Sequence, residues 1–147
     1  MIKHCLKIGF LLISIGESPN LLAHDILNSL GPVSSASDYY QIQCFNDNGG
    51  SGDPSRLEVT LISFSKSGPV ISLQVRTENP LQVSNITDAI GGDKMTSRTE
   101  SIAIENGGFA YFTVNKAKAG IQKYQIKFHC LSATGHAGTA QVTLQNQ

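Results

Sequence analysis

Three histidines and two cysteines are the residues of this chain with the greatest capacity for chemistry. His129 and His136 lie close together near the C-terminus, and His24 follows an apolar N-terminal segment. Imidazole and amine nitrogens suit Cu(II), which heads the affinity order of the divalent first-row metals. A cut after Ala23 would let the α-amine and imidazole of His24 chelate one ion, with His129 or His136 completing a three-nitrogen site. The sequence therefore predicts copper as a cofactor.

The cut that frees His24 is itself a prediction. Two lysines precede an apolar run over residues 8–15, which is too short to span a bilayer but has the length of a signal-peptide core. Ala23 has the small side chain required at the end of a signal peptide, but Leu21 is large for the position two before it. A rival cut after Gly16, with Ser14 behind it, obeys the small-residue rule better but leaves almost no spacer after the apolar run. Residues 1–23 are predicted to be a signal peptide, and the mature protein to be secreted or periplasmic.

The cysteines predict one disulfide. Cys5 would leave with the signal peptide, so Cys44 and Cys130 remain as an even pair in an exported chain. In the chain-entropy model such a bridge is worth about 4 to 5 kcal/mol. Two buried free thiols are the alternative. Neither cysteine has the cationic neighbours or the CxxC spacing of a reactive thiol.

Charge and motifs exclude several classes of function. The sequence has eleven basic and eleven acidic side chains, so it has no basic field for nucleic acid or anionic lipid. It also lacks a G-x-S-x-G nucleophile, an HExxH motif and a P-loop. After the signal peptide about 124 residues remain, which is enough for one domain. We expect a non-catalytic protein.

The clearest structural element is a strand over residues 121–130. Tyr124, Ile126, Phe128 and Cys130 alternate with polar residues, which is the period of a half-buried β-strand. Cys130 should therefore face the core and His129 the solvent. His136 should lie in the hairpin that follows, close to His129.

Other segments show the same alternation, and no stretch has a helical period. The expected strands cover residues 39–45, 56–64, 69–77, 100–105, 109–115 and 138–145. A short link joins the strands over residues 56–64 and 69–77, and Asn106-Gly107-Gly108 joins those over residues 100–105 and 109–115. Both pairs are predicted to be hairpins. In the last strand Val142 and Leu144 should face inward. Residues 78–98 should form a long surface loop, with a short strand near residues 81–83.

These elements predict an all-β fold: an antiparallel, jelly-roll-like β-sandwich of about seven to eight strands with one disulfide. Residues 24–37 have no sustained period and should form an extended N-terminal arm on the domain edge. Residues 38–147 should form the sandwich domain.

A family likeness is carried by residues 37–42, 57–64, 70–75, 90–93, 100–114 and 123–126. Their alternation and turns resemble those of the bacterial pre-peptidase C-terminal (PPC-like) domain. The resemblance implies a secreted, jelly-roll-like accessory module without catalysis, often appended to proteases. We expect this chain to depart from that pattern in its cysteine pair, in its arm and in the lack of an accompanying protease domain.

Two further sites are weaker predictions. Asp47, Asn48 and Asp53 lie in a Gly-rich loop typical of calcium binding, but the loop lacks the spacing and the closing Glu of a twelve-residue calcium loop. A solvated turn is the alternative. Tyr39 and Tyr111 should face outward, where they could bind a polysaccharide or protein surface.

The sequence thus predicts an exported binding module that takes copper through His24, His129 and His136. The alternative is a structural, adhesive or filament-forming module in which the histidines have no role and edge strands mediate self-association. An oxidative copper enzyme would use the same ligands, but it also needs an open coordination position and a substrate surface. No membrane span is expected after removal of the signal peptide.

Overall fold

Two facing antiparallel sheets make up the part of the chain that the structure describes. This computed structural model describes residues 24–49 and 51–147, so the predicted signal peptide lies outside the described residues. The strands are β1 (His24–Leu30), β2 (Asp38–Phe45), β3 (Arg56–Ser63), β4 (Ile71–Thr77), β5 (Gln82–Asp88), β6 (Glu100–Ala103), β7 (Phe109–Lys116), β8 (Gln122–Leu131) and β9 (Gly138–Gln145).

The strand order is β1-β8-β3-β6 in the four-stranded sheet and β5-β4-β7-β2-β9 in the five-stranded sheet. The predicted all-β antiparallel sandwich is confirmed, with nine strands in the described residues where seven or eight were expected. None of these residues forms a helix long and apolar enough to cross a membrane.

β8 is central to the four-stranded sheet and pairs with β1 on one side and β3 on the other. Its alternation is confirmed, because Tyr124, Ile126, Phe128 and Cys130 are all fully buried. The Phe128 ring meets the ring of Phe112 in β7 edge-on, with centroids 5.5 Å apart. Full burial of a large apolar side chain contributes about 1.5–3 kcal/mol. The inward side chains of β8 therefore help to hold the two sheets together.

The predicted disulfide is confirmed. Cys44 of β2 and Cys130 of β8 are bonded, with Cα atoms 5.5 Å apart, so the bridge links the two sheets. The two cysteines are 86 residues apart in the sequence.

A buried polar cluster also connects the sheets. The Tyr124 hydroxyl donates to Oδ2 of Asp38, and it lies 2.6 Å from the Tyr40 hydroxyl. Asn28 donates to the same carboxylate at 3.3 Å, and the Gln147 amide donates to its Oδ1 at 2.8 Å. Asp38 is fully buried, and these donors replace the water that its carboxylate loses.

The predicted hairpin between residues 56–64 and 69–77 is wrong. β3 pairs with β6 and β8, whereas β4 pairs with β5 and β7, so the short link carries the chain from one sheet to the other. The alternation of β3 breaks at Leu61, Ile62 and Ser63, three consecutive buried residues. A link of this length fits a hairpin or a crossing between packed sheets, and the sequence did not distinguish them.

Asn106-Gly107-Gly108 forms the expected turn, but the hairpin predicted there is also wrong. Gly107 has a positive φ of 75°, and the Gly108 amide donates to the Glu105 carbonyl at 2.9 Å. The Gly107 amide then donates to the Cys44 carbonyl at 2.8 Å. The turn is therefore fixed to β2, and it passes the chain from β6 in one sheet to β7 in the other.

The surface loop predicted over residues 78–98 contains a strand of seven residues. β5 pairs with β4 from Gln82↔Thr77 to Asp88↔Ile71. Only Ile86 and Asp88 of this strand are buried. One apolar inward side chain gives no visible period, so backbone pairing with β4 defines the strand.

The segment predicted as an extended arm forms the edge strand β1 over its first seven residues. It pairs with β8 from His24↔Phe128 to Leu30↔Gln122. Ile26 and Leu30 are its two buried apolar side chains. They anchor the arm as a regular strand of the four-stranded sheet.

The apolar side chains of β9 face in the opposite direction from the one predicted. Val142 and Leu144, expected inward, are 53% and 48% exposed. Val142 lies opposite Gln41 of β2, and the buried Ile42 lies opposite Gln141. Because opposed residues share a face, the register turns Val142 outward and Gln141 inward, so the expectation is wrong.

Candidate metal centre

His129 lies on the outer face of the four-stranded sheet, two residues before β8 ends. It is opposite Glu58 of β3 and partly buried. Its Nδ1 is shielded from solvent and has no hydrogen-bond partner among the described residues. Burial lowers the pKa of His129, and the nearby His136 and His24 lower it further. This lowered pKa favours the neutral ring, which is the form that binds metals.

His136 lies beside His129, as predicted. The two ring centroids are 4.8 Å apart and the planes meet at 83°. His136 forms an isolated antiparallel bridge with Leu131 and directly follows a tight turn. In that turn the Ser132 amide donates to the Gly135 carbonyl, and the Ser132 hydroxyl accepts from the Gly135 amide at 3.1 Å.

The connection that holds His136 is not the predicted hairpin. After the single bridge to Leu131, the Ala137 amide donates to the Cys130 carbonyl at 2.8 Å, and the chain enters β9 of the other sheet. Arg56 of β3 pairs with Leu131 on one side of β8. The bridge to His136 therefore lies on the opposite side of β8, which is the side of β1.

His24 and His136 thus lie along the same side of β8. His24 is opposite Phe128, and His136 is opposite Leu131. Between these positions β8 contributes His129 and Cys130. Since β1 is antiparallel to β8, the main-chain nitrogen of His24 points toward this interval. The register therefore directs that nitrogen toward His129.

The side chain of His24 has a different direction from that of His129. Its ring lies 5.9 Å from the Phe128 ring, on the core-facing side of β8. Neighbouring residues of a strand point to opposite faces, so His129 is directed outward. Rotation of the His24 side chain about the sheet edge is needed for all three rings to meet. Among residues 24–49 and 51–147, no group of three His, Cys, Asp or Glu side chains is arranged to hold a metal ion.

Two acidic side chains, Glu58 and Asp25, lie near His129. Glu58 and Asp25 act on His129 in the direction that raises its pKa, against the larger effect of burial. Glu58 also accepts from Arg56 Nε at 3.1 Å. A depression of about 230 Å³ on this face is lined by Glu58, Val59, Thr60, Thr99, Lys127 and His129. Glu58 was not predicted as part of the site, although its outward position in the alternation of residues 56–64 was a usable signal.

The loop predicted as a weak calcium site is held together by its own side chains. Oδ1 of Asp47 accepts from the Gly49 amide, and Oδ1 of Asp53 accepts from Asn46 Nδ2, both at 2.9 Å. Asn48 has a positive φ of 61°. These contacts are those of a turn closed by Asx side chains. Calcium binding by Asp47, Asn48 and Asp53 stays a prediction.

Tyr39 and Tyr111 lie on the outer face of the five-stranded sheet. Their rings are stacked, with centroids 5.8 Å apart, and the Arg76 guanidinium lies 5.6 Å from the centroid of Tyr111. Gln41 donates to the Tyr111 hydroxyl at 3.1 Å. Tyr111 thus has Tyr39 and Arg76 as neighbours, and a polysaccharide or protein surface as its ligand stays a prediction.

No protein-family model matches this chain, and no curated protein sequence matches it. The resemblance to the PPC-like domain therefore stays a prediction, and the function is argued from the geometry of the histidines.

Proposed function

We propose that the mature protein is an exported β-sandwich that binds Cu(II) without catalysing a reaction. The ligands are the α-amine and imidazole of His24 and the imidazoles of His129 and His136. The single observation that carries the proposal is the contact of His129 with His136, at 4.8 Å between ring centroids, beside the interval toward which the His24 nitrogen points.

The donor set accounts for the choice of metal. An α-amine and a neutral imidazole of one residue close a chelate ring, and two further imidazoles give a nitrogen-rich set that suits Cu(II). The lowered pKa of His129 supports metal binding near neutral pH, because it favours the neutral imidazole that binds metals. The α-amine becomes available only when the chain is cut after Ala23.

Binding requires one local rearrangement. The His24 side chain must leave Phe128 and turn toward the outer face of the sheet, where His129 lies. β1 is an edge strand, and His24 is its first residue. Such terminal residues are the least constrained part of a strand. The cost of this rotation is therefore small compared with the energy of a multidentate copper site.

The fold suits an extracytoplasmic copper carrier. The disulfide supports export, because such bonds persist mainly in oxidising compartments. Small β-sandwiches with a fixed inter-sheet bridge provide a rigid base for a terminal chelate. We infer that the protein captures copper, or uses it to hold subunits together.

The test is a copper titration of the mature chain that begins at His24. We expect one Cu(II) per chain, and a loss of affinity of about tenfold or more, or 1.4 kcal/mol, in each of His24→Ala and His136→Ala. Lys127→Ala is the matched control, since it removes a side chain beside His129 and no nitrogen ligand that we assign. Equal affinity in all four proteins would contradict the proposal.

A further inference from the structure

The free edge of β9 is the surface of this molecule least protected against pairing. Among the strands of the described residues β9 pairs only with β2, and six of its eight residues are exposed. Its sequence, GTAQVTLQ, has no charged residue and no proline. Natural edge strands usually carry such residues to prevent pairing with another chain.

The other three edges are protected. β1 carries the exposed Asp25, and β6 has only four residues, including Glu100. β5 is tied to β6: Gln82 accepts from the Ala103 amide at 3.1 Å, and Ser84 donates to Glu100 at 2.9 Å. At β9 the interactions with β1 and the segment after it come from the last residue of the strand and from the residues past its end. Gln145 donates to the Ser37 carbonyl at 2.8 Å. Asn146 accepts from Asn28, and the Gln147 carbonyl accepts from the Gly31 amide.

β9 also has an inverted pattern that suits pairing with itself. Ala140 and Val142 face outward, opposite Gln43 and Gln41 of β2. Leu144 lies at a β-bulge near the end of the strand and is 48% exposed. A strand of a solitary sandwich normally directs its apolar residues inward. Here the apolar row is solvent-exposed.

We propose that β9 pairs antiparallel with β9 of a second copy, so that the five-stranded sheets of two molecules join into one sheet of ten strands. A two-fold axis normal to the sheet keeps each face on its own side. Outward residues must therefore lie opposite outward residues. An axis midway between the two Val142 residues sets Val142 against its own copy and Ala140 against Leu144, which forms one apolar strip across the junction.

The second copy is the occupant that the strand itself specifies. The edge is uncharged, so it neither repels its own copy nor attracts a charged partner. An isologous pair is closed by its two-fold axis and ends at two molecules. A single strand pair is a small interface, so the dimer should dissociate on dilution. This proposal does not depend on copper.

The test uses the metal-free mature chain in a chelator, with its mass measured by light scattering across a wide range of concentration. We expect dimers at high concentration. Val142→Lys sets like charges opposite each other at the axis and should weaken dimerisation about tenfold or more. Val83→Lys on β5 is the matched control, because Val83 is equally exposed, at 57% against 53%, and lies on the other edge of the same sheet.

A cysteine variant gives an independent result if Val142→Lys fails to fold. Val142→Cys should form an intermolecular disulfide on oxidation, because the axis pairs residue 142 with its own copy, whereas Val83→Cys should not. A chain that stays monomeric at every concentration would overturn the proposal. So would equal weakening by both lysine variants, or no selective crosslink through residue 142.

Discussion

Replacement of Tyr124 by phenylalanine tests the buried polar cluster between the sheets. The change keeps the ring in the core and removes only the hydroxyl that donates to Asp38 and lies 2.6 Å from the Tyr40 hydroxyl. Asp38 is fully buried, so water cannot replace the lost donor without opening the sandwich. Asn28 and the Gln147 amide remain as donors to the carboxylate.

The expected cost follows from these contacts. A hydrogen bond to a carboxylate is worth about 1.5–3 kcal/mol, and the retained ring leaves no large cavity. We expect Tyr124→Phe to lower the free energy of unfolding by that amount. For a domain of this size, the midpoint of thermal unfolding should fall by roughly 5 to 15 °C. Denaturant unfolding of the oxidised protein measures the free energy directly.

Tyr111→Phe is the matched control. It removes a hydroxyl on the outer face whose one hydrogen-bond partner within residues 24–49 and 51–147 is Gln41, which donates to it at 3.1 Å. The change should alter stability by no more than about 0.5 kcal/mol. If Tyr124→Phe proves as mild as Tyr111→Phe, the hydroxyl is not paired with a buried carboxylate and the account of this cluster is wrong.

Two further predictions concern pH and the disulfide. Burial raises the pKa of Tyr124 and of Tyr40. Their contribution to the free energy of unfolding is therefore intact below the unfolded pKa of about 10 and is lost as pH rises above it, by about 1.4 kcal/mol per pH unit for each ionising group. Denaturant unfolding at increasing alkaline pH measures this slope, and a flat profile would contradict the prediction. Cys44→Ala together with Cys130→Ala should cost about 2–5 kcal/mol, measured by the same unfolding, and an unchanged midpoint would show that the bridge does not stabilise the fold.

The sequence predicted the central strands well, because burial on one face leaves a strong period. In β8 every second residue from Tyr124 to Cys130 is buried, and Cys44 follows the same rule in β2. Those two alternations located both cysteines on inward faces. The disulfide followed from them together with the even cysteine count.

The connections were not predicted, because turn chemistry does not specify which sheet the next strand joins. Gly107 adopts the positive φ expected of a turn, yet the strands on either side belong to different sheets. β5 was partly missed because it buries a single apolar residue, Ile86. β9 was misread because Val142 faces solvent, against the usual rule for apolar residues.

The candidate site was predictable only in part. The short separation of His129 and His136 indicated that they are close, and the structure brings their rings together. The direction of the His24 side chain was not predictable. It depends on the pairing of His24 with Phe128, and pairing register is a tertiary property that the alternation of one strand does not contain.

The most direct test of copper binding at the processed N-terminus compares two chains in one competition titration. Both chains begin at His24, and one of them is acetylated at its α-amine, which leaves every side chain in place and removes the chelating amine. We expect Cu(II) affinity to be about tenfold or more lower in the acetylated chain. Equal affinity in the two chains would contradict this prediction.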